Sequence, residues 1–127
     1  MNKDVNAINW FEIPALDIKR AKKFYESIFK IEMTEIEMMG MKLAMFPYDG
    51  SKGTVGGTLV QSQNHKPGKN GIIIYLNANP NLQTVVDKIE KAGGKLTMPK
   101  TLIDDQSGYM AFFTDTEGNN IGLHSNE

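Results

Sequence analysis

The stretch Phe11-Glu12-Ile13-Pro14-Ala15-Leu16-Asp17-Ile18-Lys19-Arg20-Ala21-Lys22-Lys23-Phe24-Tyr25-Glu26-Ser27-Ile28-Phe29 decides how the rest of the chain is read. Residues 8–13 are rich in β-branched and aromatic side chains and are closed by Pro14, which predicts a strand. Asp17 stands at the N-cap position of a helix, where its short carboxylate can accept from free backbone N–H groups. Ile18, Ala21, Tyr25, Ile28 and Phe29 then recur at helical spacing, with Lys19, Arg20, Lys23 and Glu26 between them. That pattern predicts an amphipathic helix with one buried face.

Downstream, residues 33–38 and 41–46 read as two strands joined near Gly40, and 47–53 as a turn-rich loop. Residues 56–61 read as a further strand, and the polar stretch 62–70, with Pro67 and Gly68, as a linker. The same order then recurs. Residues 72–76 predict a strand, and Asn79-Pro80 a helix start with Asn79 as the cap. Leu82, Val85, Val86, Ile89 and Ala92 give a second apolar helical face, ended by Gly93-Gly94. Residues 95–98 predict a strand. Residues 109–114 and 120–124 predict hairpin arms about the turn Asp115-Thr116-Glu117-Gly118-Asn119. Strand, helix and three strands thus occur twice. The expected fold is α+β: a single domain, 1–127, of two βαβββ modules (8–61 and 71–125, with linker 62–70) around a cavity.

Composition narrows the function. Hydrophobic residues make up 40%, charged residues 23%, and the formal net charge is −1. Without a basic surface the chain has nothing to attract a nucleic-acid backbone or an anionic membrane, so neither is an expected partner. The absence of cysteine excludes disulfides, thiolate catalysis and cysteine metal sites. No apolar stretch is long enough to cross a bilayer, and the first residues lack a signal-peptide core, so a cytoplasmic location is expected.

The opening stretch, with its strand, capping aspartate and late Phe24-Tyr25, resembles the start of a vicinal oxygen chelate protein, the glyoxalase/bleomycin resistance protein/dioxygenase superfamily. Glu90-Lys91-Ala92-Gly93-Gly94-Lys95 is similar to that family's second helix end. The run from Phe113 through Asp115-Thr116-Glu117-Gly118-Asn119 to His124 is similar to its closing hairpin. Lys30 departs from the pattern, because the family usually stops this helix with glycine. The resemblance implies a small-molecule cavity, a homodimer and, in most of the family's enzymes, a divalent metal held by His, Glu or Gln. Carried over residue by residue, the metal positions fall on Trp10, Ile72, Gly122 and a place near Thr58. The first three cannot ligate a divalent ion through their side chains. The resemblance therefore implies a member without the usual metal site, and no cofactor is expected. The family's bleomycin-resistance type binds its ligand without metal.

Two functional readings follow. One is a metal-independent small-molecule-binding protein whose ligand touches Trp10, Glu12, Ile72, Gly122 and His124. The other is a lyase or isomerase, of the lactoylglutathione lyase kind, acting on a small carbonyl substrate. Its catalytic residues would be Glu12 and His124, or a displaced metal. Glu12 and His124 each lie two residues beyond a lost ligand position, so strand alternation places them on the same faces, where a carboxylate and an imidazole could form an acid–base pair. Trp10 could stack on a planar ligand. His65, in the polar linker, reads as a solvated loop histidine. Met38, Met39, Met41, Met45 and Met110 read as core filling. The faces of Tyr48, Tyr75 and Tyr109 are not assignable from the pattern.

Overall fold

The computed structural model describes residues 1–127 and contains eight strands and two α-helices. The first unit comprises β1 (Trp10–Pro14), α1 (Ile18–Phe29), β2 (Thr34–Met38), β3 (Met41–Met45) and β4 (Gly56–Gln61). The second comprises β5 (Tyr75–Asn77), α2 (Gln83–Ile89), β6 (Lys95–Asp104), β7 (Gly108–Thr114) and β8 (Asn120–Ser125). A single 3-10 turn, Gly50–Lys52, lies between β3 and β4. Each unit forms its own four-stranded sheet, with orders β1-β4-β3-β2 and β5-β8-β7-β6. In both, the first strand runs parallel to the last, and the other pairings are antiparallel. This is the α+β architecture expected from the internal repeat.

Helix α1 begins as its sequence requires. Asp17 is extended (φ −134°, ψ 104°) and accepts from the N–H groups of Lys19 and Arg20 at 3.1 Å. Ile18, Ala21, Phe24, Tyr25 and Ile28 are buried. Lys30 ends the helix in the left-handed conformation (φ 54°), so the lysine adopts the geometry that glycine usually supplies there.

Two expectations need correction. Helix α2 does not start at Asn79-Pro80: its first residue is Gln83, whose N–H donates to Asn81 Oδ1 at 3.0 Å. Asn79-Pro80, a cis bond, instead receives the end of the chain. Asn126 N–H donates to Asn79 Oδ1 at 2.8 Å, and Glu127 N–H donates to the Pro80 carbonyl at 2.9 Å. The apolar run Ile72-Ile73-Ile74 lies before β5 rather than in it. Tyr75 pairs with Gly122, so continuing the register would set Ile72 opposite Asn119. Asn119 is already committed to the hairpin turn: its backbone N–H and its Nδ2 both donate to Asp115.

The two sheets share one core of 21 buried residues. It unites Ile13, Ala44 and Leu59 from one sheet with Leu76, Phe113 and Leu123 from the other, through both helices. Phe24 of α1 packs on Phe113 of β7 with ring centroids 5.8 Å apart, and it lies against Gly94, where any Cβ would meet its ring at 2.8 Å. Of the methionines read as core filling, Met38 and Met39 are exposed, because they sit at the β2–β3 turn, and Met41, Met45 and Met110 are half-buried; the fully buried methionine is Met33, which that reading did not include.

The turn between β7 and β8 fastens the second unit to α1. Asp115, Glu117 and Asn119 are all buried. The Glu117 carboxylate accepts five hydrogen bonds. Two come from the Leu16 and Asp17 N–H groups at 2.8 Å, two from Arg20 Nε at 2.7 Å and Nη2 at 3.0 Å, and one from Thr116 Oγ1 at 3.0 Å. Asp115 accepts from the Tyr25 hydroxyl at 2.8 Å and from the Glu117 and Asn119 N–H groups at 2.9 Å. Asn119 Nδ2 donates to the Pro14 carbonyl at 2.7 Å. No buried side-chain polar atom lacks a partner.

The electrostatics follow from this arrangement. Burial, with the nearby Asp115 carboxylate, pushes the Tyr25 phenol well above its ordinary range, so it stays protonated and donates. For Glu117, burial favours the neutral form, but the hydrogen bonds from Arg20, the Asp17 and Leu16 N–H groups and Thr116 outweigh it. The carboxyl is therefore held below its ordinary value. A depressed folded-state pKa contributes stability that is present above the unfolded-state value and is lost as pH falls through the folded one. Urea unfolding between pH 7 and pH 3 should show stability falling through the acid range, and Glu117→Gln should flatten that fall. At pH 7 the same substitution should cost about 2–4 kcal/mol, the scale for breaking a buried charged hydrogen-bond set. Tyr25→Phe should cost about 1–3 kcal/mol by leaving Asp115 short of a donor.

Candidate functional site

Because the helix-side faces are spent on the shared core, the opposite sheet faces are left for function. In-register partners project to the same face. Trp10, Glu12, Gly56 and Thr58 therefore share the outward face of the first sheet, where Trp10 pairs with Gly56 and Glu12 with Thr58. On the second sheet the corresponding face carries Tyr75, Asn77, Gly122, His124, Phe112 and Met110.

The two faces repeat one device. A Cβ on Gly56 would lie 2.7 Å from the Trp10 ring and 2.7 Å from the Tyr48 ring. A Cβ on Gly122 would lie 2.7 Å from the Tyr75 ring. In each sheet an aromatic on the first strand thus lies across a glycine on the last, and only glycine leaves room for it. The rings are not buried: Trp10 is 39% exposed, Tyr48 48% and Tyr75 50%. Trp10 meets Tyr48 edge to face, centroids 5.4 Å apart and planes at 80°, and Tyr75 meets Phe112 in the same way at 5.5 Å. Tyr109 is different: it pairs with Ser125 on the inner face, and Lys100 Nζ stands 4.3 Å from its ring centroid.

A cleft of about 420 Å³ lies where β1 approaches the linker, residues 72–74 and the start of β8. Trp10, Glu12, Lys66, Asn70, Ile72 and Asn120 are among its walls. Ile72 is fully open to solvent there, and Gly122 is buried beneath Tyr75.

Glu12 and His124 are not brought together. Glu12 Oε2 instead accepts from His65 Nε2 at 2.7 Å, and His65 Nδ1 meets Ser62 Oγ at 2.7 Å. His124 Nε2 donates to the Ser107 carbonyl at 2.7 Å. His65 is therefore a positioned residue rather than a solvated one. Its place in a linker concealed it. The available signal was the short Ser62-to-His65 spacing, which closes a turn with a single β-bridge.

The register also locates the second unit's counterpart of Trp10, which is Tyr75 rather than Ile72, since Tyr75 is the residue opposite Gly122. These positions do not suit the metal of the family's enzymes. Glycines and an indole offer no side-chain donor for a divalent ion. The Thr58 hydroxyl is buried against the Ala44 and Leu59 carbonyls at 3.0 and 2.9 Å. No group of three or more His, Asp or Glu side chains stands close enough to hold an ion.

Comparison with known proteins agrees with this architecture. The family model of the Glyoxalase/Bleomycin resistance protein/Dioxygenase superfamily matches residues 7–123, and the chain belongs to that superfamily. It is 28% identical over 122 residues to a glyoxylase-like domain-containing protein of Didymella fabae, covering 88% of each chain. A glyoxalase-related enzyme from Fulvimarina pelagi superimposes with a TM-score of 0.68 at 13% identity, over 96% of this chain and 89% of that one. The fosfomycin resistance protein FosX of Listeria monocytogenes does so with a TM-score of 0.65 at 14% identity, over 97% and 93%. At such identities the two structures share the fold.

Trp10 is the single tryptophan, so its fluorescence reports on this face alone. Gly56→Ala should displace the Trp10 and Tyr48 rings and shift the emission of the folded protein, with far-ultraviolet circular dichroism unchanged. An unshifted spectrum would mean that the rings do not lie over Gly56.

Proposed function

We propose that this protein binds a small, planar organic molecule, without a metal ion, against the outward sheet faces, and that it works as a homodimer in which a second copy covers those faces. One observation carries the reading. At Trp10 and Gly122, two of the positions where the resemblance would put metal ligands, this chain sets aromatic rings over glycines, Trp10 on Gly56 and Tyr75 on Gly122. Exposed ring faces suit a planar ligand, which gains both stacking and burial of apolar area. The dimer is supported by how much apolar surface the single chain leaves open on these faces, including Ile36, Met38 and Tyr75. The second reading is acid–base chemistry on a carbonyl compound, and the Glu12–His65 hydrogen bond is the observation that favours it.

Native mass spectrometry of protein taken directly from cell extract tests the first reading. The expected species is a dimer carrying an organic adduct and no stoichiometric divalent metal, and Trp10→Ala should lose the adduct. Stoichiometric zinc, nickel, manganese or iron that disappears in Glu12→Ala would overturn it. Sedimentation at tens of micromolar, about the range where a functional dimer persists, should give the dimer mass, and monomer alone would remove that half of the proposal.

A further inference from the structure

The Ser62–His65–Glu12 chain of hydrogen bonds carries a second conclusion, which rests on the binding reading above and concerns the charge of the ligand. Ser62 Oγ accepts the Asn64 N–H at 3.1 Å and still has its own proton to give. When that proton goes to His65 Nδ1, the imidazole carries its hydrogen on Nε2, facing Glu12 Oε2. The linker thus holds the carboxylate by one oxygen only. Oε1 has no hydrogen-bond donor within the chain, and the Glu12 side chain is 45% exposed at the wall of the cleft.

Trp10 stands on the same face two residues earlier, about 7 Å along the strand. Its ring lies over Gly56 and meets that of Tyr48 at 80° there, so Trp10 is the aromatic wall that the cleft shares with the carboxylate. Aromatic faces carry partial negative charge and attract cations, most strongly when water is excluded. Two walls of the cleft, Glu12 and Trp10, therefore favour positive charge. One opposes it: Lys66 also lines the cleft, is exposed and makes no ion pair. A dication would meet that lysine, and an anion would meet Glu12.

We propose that the ligand is a planar monocation, with a protonated or quaternary nitrogen, whose ring rests on Trp10 and whose charge is taken by Glu12. A bonded N–H would reach Oε1 directly, and a quaternary centre would sit between the carboxylate and the Trp10 ring.

The test uses three probes of similar shape: N-methylquinolinium (cation), quinoline at pH 8 (neutral) and 2-naphthoate (anion). Binding is followed by the single indole N–H signal of Trp10 in nuclear magnetic resonance spectra and by calorimetry. In the native protein the cation should bind about tenfold more tightly than quinoline. Glu12→Gln keeps an oxygen for the His65 N–H, so it should fold, and it should bring cation and quinoline to nearly equal affinity. Lys66→Ala should tighten the cation. Equal binding of cation and quinoline by the native protein, with the Trp10 signal shifting for both, would overturn the charge assignment and leave the planar-ligand reading standing. So would tightest binding of 2-naphthoate, lost in Lys66→Ala. An indole signal unmoved by all three would overturn both.

Discussion

A buried carboxylate in the last hairpin ties this molecule together. Glu117 leaves water completely, and its burial is tolerable only because five donors converge on it. Four of the five belong to the first helix and the turn leading into it, about a hundred residues away in the chain. The constraint is mutual. The Leu16 and Asp17 N–H groups precede the first helical turn and would otherwise need water, while the carboxylate complements the positive end of the helix. Asp115 adds the Tyr25 hydroxyl, and Asn119 adds the Pro14 carbonyl and the Gly68 N–H. Strand β1, helix α1 and the linker are all placed by one five-residue turn.

That placement decides which surfaces remain for ligand. With α1 fastened to the second unit, the helix-side faces of both sheets close into one core. The opposite faces keep their rings in solvent. Gly56 and Gly122 then acquire a clear role: they are the gaps into which Trp10 and Tyr75 lie. The first and last strands of each sheet thus present an aromatic surface on the face turned away from the helices.

The linker is the second consequence. Gly68 N–H is held by Asn119 Oδ1 at 3.1 Å, and His65 by Glu12. A segment that reads as a polar spacer is therefore anchored at two points, and one of them orients the carboxylate at the cleft.

Much of this could be read from the sequence, because the strongest signals are local. The helical spacing from Ile18 to Phe29, the cap at Asp17, the turn residues 115–119 and the repetition of strand, helix and three strands depend only on neighbours in the chain. They were enough for the α+β fold, for both helices and for Trp10 and Glu12 sharing a face. What the tertiary structure decided is everything that depends on a partner far away in sequence. Ile72-Ile73-Ile74 has every local mark of a strand, yet only the Ile74 carbonyl finds a backbone partner, the Gly122 N–H at 2.9 Å, and the register that would continue the pairing runs into the hairpin turn at Asn119. For the same reason the residue opposite Gly122 is Tyr75, Asn79-Pro80 receives the chain end instead of opening α2, and Glu12 meets His65 while His124 turns to Ser107. Spacing along one strand fixes which face a side chain points to. Which residue it meets there depends on the register between strands and the path of the linker, and both are set by long-range hydrogen bonds.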